Sequence, residues 1–164
     1  VQLNKTFEED GTYELLVQAQ DRSANVSGTY GVAGDGIDYR LSFEIINKSM
    51  ISNVLNYPNP FTTKTRFVFT LTGSQVPTFF KIQIMTVSGK VVREIMLDEL
   101  GPIRIGRNIT EFAWNGTDQY GDALGNGLYL YRIVASIDGQ SIEKMATGAD
   151  KYFKSGFGKM YLAR

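Results

Sequence analysis

The densest gathering of groups that could do chemistry is the run WNGTDQYGDALGNG (Trp114–Gly127), where Asp118 and Asp122 stand four residues apart among four glycines. Two carboxylates at that spacing could act as acid and base, or offer oxygen ligands to a hard cation. The order departs from Asp-x-Asx-x-Asx-Gly followed by glutamate, which a calcium loop requires. Asn and Asp side chains also bond nearby backbone in tight turns, and a glycine-rich link between strands uses them that way. The expectation is a turn with solvated carboxylates, no catalytic residue, and no metal or cofactor site. The same reading holds for DRSAN (Asp21–Asn25) and GDGID (Gly34–Asp38).

The chain contains neither cysteine nor histidine. Thiol nucleophiles, histidine bases, Ser-His-Asp triads and the usual zinc sets are therefore excluded. Seventeen basic and seventeen acidic residues cancel without a long run of either sign. That removes the basic footprint of a nucleic-acid binder or a membrane-surface helix. No apolar run reaches the length of a membrane-spanning helix. The opening VQLNKTFEED (Val1–Asp10) lacks the charged-then-apolar order of a signal peptide. It also lacks an initiating methionine, so the chain is expected to be part of something longer. At 164 residues it has room for one domain plus a piece of another.

Any site must be positioned by strands, because the apolar period is two almost throughout. TYELLVQAQ (Thr12–Gln20) and DYRLSFEII (Asp38–Ile46) read as strands joined by a turn-rich link. TRFVFTL (Thr65–Leu71), FFKIQIMTV (Phe79–Val87), KVVREIML (Lys90–Leu97), ITEFAW (Ile109–Trp114), LYLYRIVASI (Leu128–Ile137), QSIEKM (Gln140–Met145) and KMYLAR (Lys159–Arg164) follow. Ser88-Gly89 and Asp138-Gly139 are two-residue hairpin signals. About seven short strands at regular spacing predict an all-β, antiparallel β-sandwich. Phe67, Phe69 and Leu71 fall on one face, as do Ile82 with Ile84, Phe112 with Trp114, and Tyr129, Tyr131 with Ile133. Such rows could form a carbohydrate platform, but sandwich cores are built from them and the core is the expectation.

The polar NKSMIS (Asn47, Lys48, Ser49, Met50, Ile51, Ser52) lies between strand sets and reads as a linker, and as the candidate cleavage site. Residues 1–46 then hold two strands, too few for a core of their own. They are either the end of a preceding sandwich or a pair docked on the main domain, residues 53–164. Just past the linker comes NYPNPFTTKTRFVFTL (Asn56–Leu71), with two of the four prolines. Each proline fixes φ, lacks an N–H and biases its predecessor toward extended geometry. Tyr57–Pro60 is therefore expected to be a stiff extended segment at a sheet edge, anchored by Phe61. A polyproline ligand would carry more proline. Asn-x-Ser/Thr triplets at Asn4, Asn25, Asn47, Asn108 and Asn115 are explained by turn composition and matter only in a eukaryotic secretory setting.

Four blocks in order, NYPNPFTTKTRFVFTL, KIQIMTVSGKVVREI, EFAWNGTDQYGDALGNGLYLYRI and GKMYLAR, resemble the C-terminal sorting domain (type A) of type IX secretion system cargo proteins of Bacteroidota. The same core pattern is similar to the Ig-like domain of flagellar hook-capping proteins. The resemblance covers about Asn53–Arg164. It implies a non-catalytic Ig-like sandwich at the end of a large exported protein, with residues 12–27 resembling a late strand of an Ig-like module before it. The implied partners are an outer-membrane translocon and its shuttle protein, and often a cell-surface sortase, with no nucleic acid and no small-molecule substrate. The cargo would cross the periplasm to the cell surface or the medium.

Position by position, the family's opening motif falls on Pro58, Asn59 and Pro60, its hairpin glycine on Gly89, and its Gly-x-Tyr on Gly127 and Tyr129. The closing strand falls on Lys159–Arg164, with Lys159, Leu162 and Arg164 in the recognised segment. The stretch Asp138–Phe157 is an insertion relative to compact members. A C-terminal edge strand exposes unpaired backbone groups, which a receptor could read by strand addition. The alternative is an accessory adhesive or carbohydrate-binding sandwich of a surface protein. An assembly scaffold of the hook-capping kind shares the core motifs.

Overall fold

Alternating Phe, Val, Ile and Tyr in RFVFTL, FFKIQIMT and GLYLYRIVASI put one face of each strand against its neighbours, so these segments form sheets that bury that face. The computed structural model describes residues 7–17, 22–23, 39–144 and 156–164. Most of the expected link Asp21–Gly36, the Asn4 and Asn25 triplets, and residues 145–155 of the inserted stretch lie outside the described residues. The chain divides into two units, residues 1–47 and 48–164.

In the first unit, β1 (Gly11–Val17) and β2 (Tyr39–Ile45) pair antiparallel, Gly11 opposite Ile45. Tyr13 sits opposite Phe43 with ring centroids 5.9 Å apart, and the two rings lie 4.6 and 5.5 Å from that of Phe7. The Asn47 N–H donates to Asp10 Oδ1 at 2.6 Å and closes the pair.

The second unit holds β3 (Met50–Tyr57), β4 (Arg66–Leu71), β5 (Phe79–Thr86), β6 (Val91–Met96), α1 (Leu97–Leu100), β7 (Gly106–Ile109), β8 (Gly127–Ile137), β9 (Gln140–Ser141), β10 (Glu143–Lys144) and β11 (Gly158–Leu162). One sheet runs β10-β3-β4-β7 and the other β11-β8-β5-β6, with β9 on the end of β8. Among the described strands every pairing is antiparallel except β10 on β3. Of the seven longer strands, the first, second and fifth share one sheet and the remainder the other, which is the strand order of an Ig-like sandwich. The aromatic rows meet across the core. Phe67 packs edge-on to Tyr131 at 5.1 Å, Phe69 stacks with Phe80 at 4.9 Å, and Trp114 lies between Phe61 and Tyr129. Each such side chain, fully buried, stabilises the fold by about 1.5–3 kcal/mol.

Four local expectations are corrected. Met50, Ile51 and Ser52 are not linker: they open β3, with Ile51 and Ser52 buried opposite Leu71 and Thr70. The strand was hidden by a bulge after Ser52, where Asn53 adopts φ 52° and breaks the alternation. Tyr57–Pro60 is extended only at Tyr57, which ends β3 opposite Arg66; Pro58–Pro60 is a bend. Both Tyr57-Pro58 and Asn59-Pro60 are cis and the chain bends there, as the weak trans preference of X–Pro bonds permits. The fifth strand lies at Gly106–Ile109 rather than Ile109–Trp114. Thr110 ends it: its hydroxyl accepts the Phe67 N–H and donates to the Phe112 carbonyl, after which Glu111 turns to Leu100. The β5–β6 link has four residues, Val87 to Lys90, rather than two, and the Thr86 N–H closes it on the Lys90 carbonyl. Gly89 N–H bonds the Thr86 carbonyl, and the φ of 87° at Gly89 is the left-handed position that such a loop reserves for glycine.

Candidate functional site

The closing strand β11 is where the sequence motifs converge. Gly158, Met160 and Leu162 face the core and Lys159 and Tyr161 face outward, with Lys159 opposite Leu130 and Leu162 opposite Gly127 of β8. Gly158 has a steric reason to be glycine. A Cβ there would lie 2.2 Å from Cζ of the buried Tyr131 ring. Burial pushes the Tyr131 hydroxyl well above its ordinary pKa, opposed by a bond from the Asn56 backbone, so it stays a neutral core group.

The outer edge of β11 is not free, against the expectation of an exposed terminal strand. Asn59, a hundred positions earlier, donates from Nδ2 to the Lys159 carbonyl at 2.9 Å and accepts the Tyr161 N–H at 3.0 Å. Phe61 continues the clasp: its N–H donates to the Tyr161 carbonyl and its carbonyl accepts the Ala163 N–H. A side-chain amide and one residue of backbone thus stand in for a neighbouring strand. The bend at Pro58–Pro60 aims them, with the Pro58 carbonyl fixed by the Thr65 hydroxyl at 2.8 Å and by Asn56 Nδ2 at 3.3 Å.

Arg164 is held from the other side. Asn126 pairs with its backbone in both directions at 2.9 Å, and its guanidinium donates to the carbonyls of Asn115 and Gly116. A Cβ on Gly116 would fall 2.7 Å from that guanidinium, so the glycine-rich loop closes tightly over the terminal residue. Tyr129 lies opposite Met160 and donates its hydroxyl to the Gly125 carbonyl at 2.7 Å. Pro58, Asn59, Pro60, Gly127, Tyr129, Lys159, Leu162 and Arg164 therefore form one neighbourhood. Gly89 is not in it, since its hairpin lies at the β6 side of the sheet. Lys48 is also elsewhere, paired with Glu143 at 2.6 Å beside β10. Leu162 is a core residue and Arg164 is engaged, leaving Lys159 and Tyr161 as the side chains this strand presents. Sequence reasoning missed Asn115 and Asn126, whose roles depend on Arg164 at 49 and 38 positions' distance, and Thr65, whose hydroxyl meets Pro58 only because the chain bends between them.

Asp118 and Asp122 serve the turn. Asp118 Oδ1 accepts the N–H groups of Tyr120 and Asp122, each at 2.9 Å. Charge is organised instead on the outer face of β8, β5 and β6. There Arg132 Nε donates to Gln83, and Gln83 Nε2 and Lys81 Nζ both donate to Glu94 Oε1. The bonds from Lys81 and then Gln83 hold the Glu94 carboxyl below its ordinary range. A depressed carboxyl stabilises the fold above its unfolded pKa of ~4.3, and that contribution is lost as pH falls through the lower folded value. Glu94 is 37% exposed, so screening keeps the effect small. Glu94→Gln is expected to cost under about 1 kcal/mol at neutral pH and nothing in strong acid. Urea midpoints of the two proteins across that range check this.

No protein-family model matches the chain, and no curated protein does. Among solved structures it is similar to the crystal structure of dimeric latent PorU from Porphyromonas gingivalis, with a TM-score of 0.51 and 20% identity. The match covers 94% of this chain and 12% of PorU. What the two share is the fold. Among the described residues, no helix is long and apolar enough to cross a membrane.

Proposed function

We propose that residues 48–164 are a non-catalytic sorting module that takes a larger cargo through the type IX secretion system, across the outer membrane to the cell surface. One observation carries this reading. The first and third of the four resemblance blocks close on the strand that the fourth forms, through Asn59 and Phe61 on one side and Asn115, Gly116 and Asn126 around its end. The fold likeness to PorU, over 94% of this chain, supports the sandwich on which the reading rests. The partners on this reading are the translocon, its shuttle protein and a cell-surface sortase. They meet a folded face bearing Lys159 and Tyr161 rather than a free strand edge.

Fused behind a reporter in a bacterium that carries this system, the chain should bring the reporter to the surface, and deletion of residues 158–164 should abolish delivery. Unchanged delivery after the deletion would sink the proposal. Because the deletion also strips Met160 and Leu162 from the core, a second variant joins Lys159→Glu to Tyr161→Ser, both outward-facing. It should keep the melting temperature and lose delivery; full delivery would refute recognition through this face. The accessory-binding alternative has Tyr120 in its favour, 91% exposed at the tip of the glycine-rich loop. Glycan-array binding abolished by Tyr120→Ala would favour it.

A further inference from the structure

The edges of the sandwich are treated unequally. The β11 edge is occupied by Asn59 and Phe61. At the opposite end of that sheet, Gln119 does the same for β6: its N–H bonds the Val92 carbonyl at 2.9 Å and its Oε1 accepts the Glu94 N–H at 3.0 Å. Glu99 takes the next outward donor, Met96 N–H, at 3.2 Å. Covering exposed ladder groups in this way prevents unwanted strand addition.

The β7 edge has no such cover among the described residues. Thr110 exchanges bonds with Phe67, which sets the phase of the ladder. Asn108 and Gly106 then face β4, while Arg107 and Ile109 turn both N–H and C=O outward. The edge is also held in shape. Asn108 folds its side chain back onto the Arg104 N–H and carbonyl and the Gly106 carbonyl, at 2.8 to 2.9 Å.

The solvent face beside this edge has its own pattern. Leu55, Val68 and Ile109 are direct cross-strand neighbours and make an apolar row that runs out to the edge. Val68 is covered by its neighbours, whereas Ile109 is 54% exposed. Arg107, opposite Thr70, and Arg66, opposite Tyr57, bracket the row, and no carboxylate occupies these register positions. An added strand would complete the row and meet an unanswered positive charge. A second copy pairing through the same edge, Asn108 facing Asn108, would set Arg107 against Ile109 and answer neither arginine.

We propose that the free edge of β7 accepts an extended segment of a partner protein, paired antiparallel, with an apolar residue opposite Ile109 and a carboxylate two residues later opposite Arg107. Backbone bonds to Arg107 and Ile109 supply the attachment, and the cross-strand charge pair supplies the selectivity.

The test titrates the full chain with a blocked peptide of alternating Thr-Val-Thr-Glu repeats and with its lysine-for-glutamate counterpart. The glutamate peptide should bind about fivefold tighter, and should slow amide exchange at Arg107 and Ile109. Arg107→Glu should invert the preference. Ile109→Pro removes an outward N–H while leaving the β4 ladder in place, and should abolish binding. Absence of binding, equal binding of the two peptides, or a preference that survives Arg107→Glu overturns the proposal. Self-association of the unmodified chain that Ile109→Pro abolishes would give the edge to a second copy, and overturns it too.

Discussion

Gly158→Ala is expected to destabilise the sandwich by about 3 kcal/mol, a large fraction of the stability of a domain this size. Gly158 has no unusual φ, so the cost does not come from the backbone. It comes from space: the new methyl would sit within 2.6 Å of Cζ, Cε1 and the hydroxyl of Tyr131. The ring cannot step aside cheaply. It is 2% exposed and packs against Phe67 at 5.1 Å. Moving β11 instead would strip the bonds from Asn59 and Phe61 on its far side. Overpacking of a tight core costs about 1–3 kcal/mol, and a lost hydrogen bond adds about one more. The melting temperature should fall by roughly 10 °C, and the urea midpoint should drop at constant m-value. Gly125→Ala is the control, because nothing lies within 4 Å of a Cβ there. It should change stability by less than about 0.5 kcal/mol. Equal stability of the two variants would mean that β11 does not seat against Tyr131.

Much of the sandwich was legible because one face of each strand is buried and the other is wet. The inward sets on β4, β5 and β8 follow directly from period two. Legibility failed where polar groups do the work of backbone. In β3, the buried Ser52 and Asn56 and the left-handed Asn53 interrupt the apolar rhythm, so a core strand reads as a linker. In ITEFAW the rhythm is present, yet the Thr110 hydroxyl captures the Phe67 N–H and the strand ends before the aromatic residues. The candidate site was half legible. Its two ends, Pro58–Pro60 and Lys159–Arg164, stand out as motifs. Nothing in a linear pattern says that an asparagine between prolines will pair with backbone a hundred positions on. That pairing turns the inference about the terminal strand around. The strand is closed, and what it presents to solvent is the outward face of Lys159 and Tyr161.

Asn59→Asp and Asn59→Ala separate what the clasp contributes from what it hides. The amide donates to the Lys159 carbonyl and accepts the Tyr161 N–H, and alanine loses both bonds. At about 0.5–1.5 kcal/mol each, Asn59→Ala should cost roughly 2 kcal/mol. It should also expose a carbonyl and an N–H on β11, so self-association should rise with concentration in sedimentation. Aspartate is nearly the same shape but ionised at neutral pH. It keeps the bond from Tyr161 and sets a carboxylate oxygen against the Lys159 carbonyl, so at pH 7 it should be the less stable of the two variants. The neutral acid can both donate and accept, so folding favours the protonated form and the folded pKa lies above the unfolded value of ~3.9. A raised carboxyl pKa makes Asn59→Asp regain stability, relative to the parent protein, as pH falls through it. Referring each urea midpoint to the parent at the same pH cancels Glu94 and the other native carboxylates. A gap between Asn59→Asp and the parent that stays constant or widens in acid would show that the side chain at this position does not bridge Lys159 and Tyr161, and the clasp would then rest on Phe61 alone.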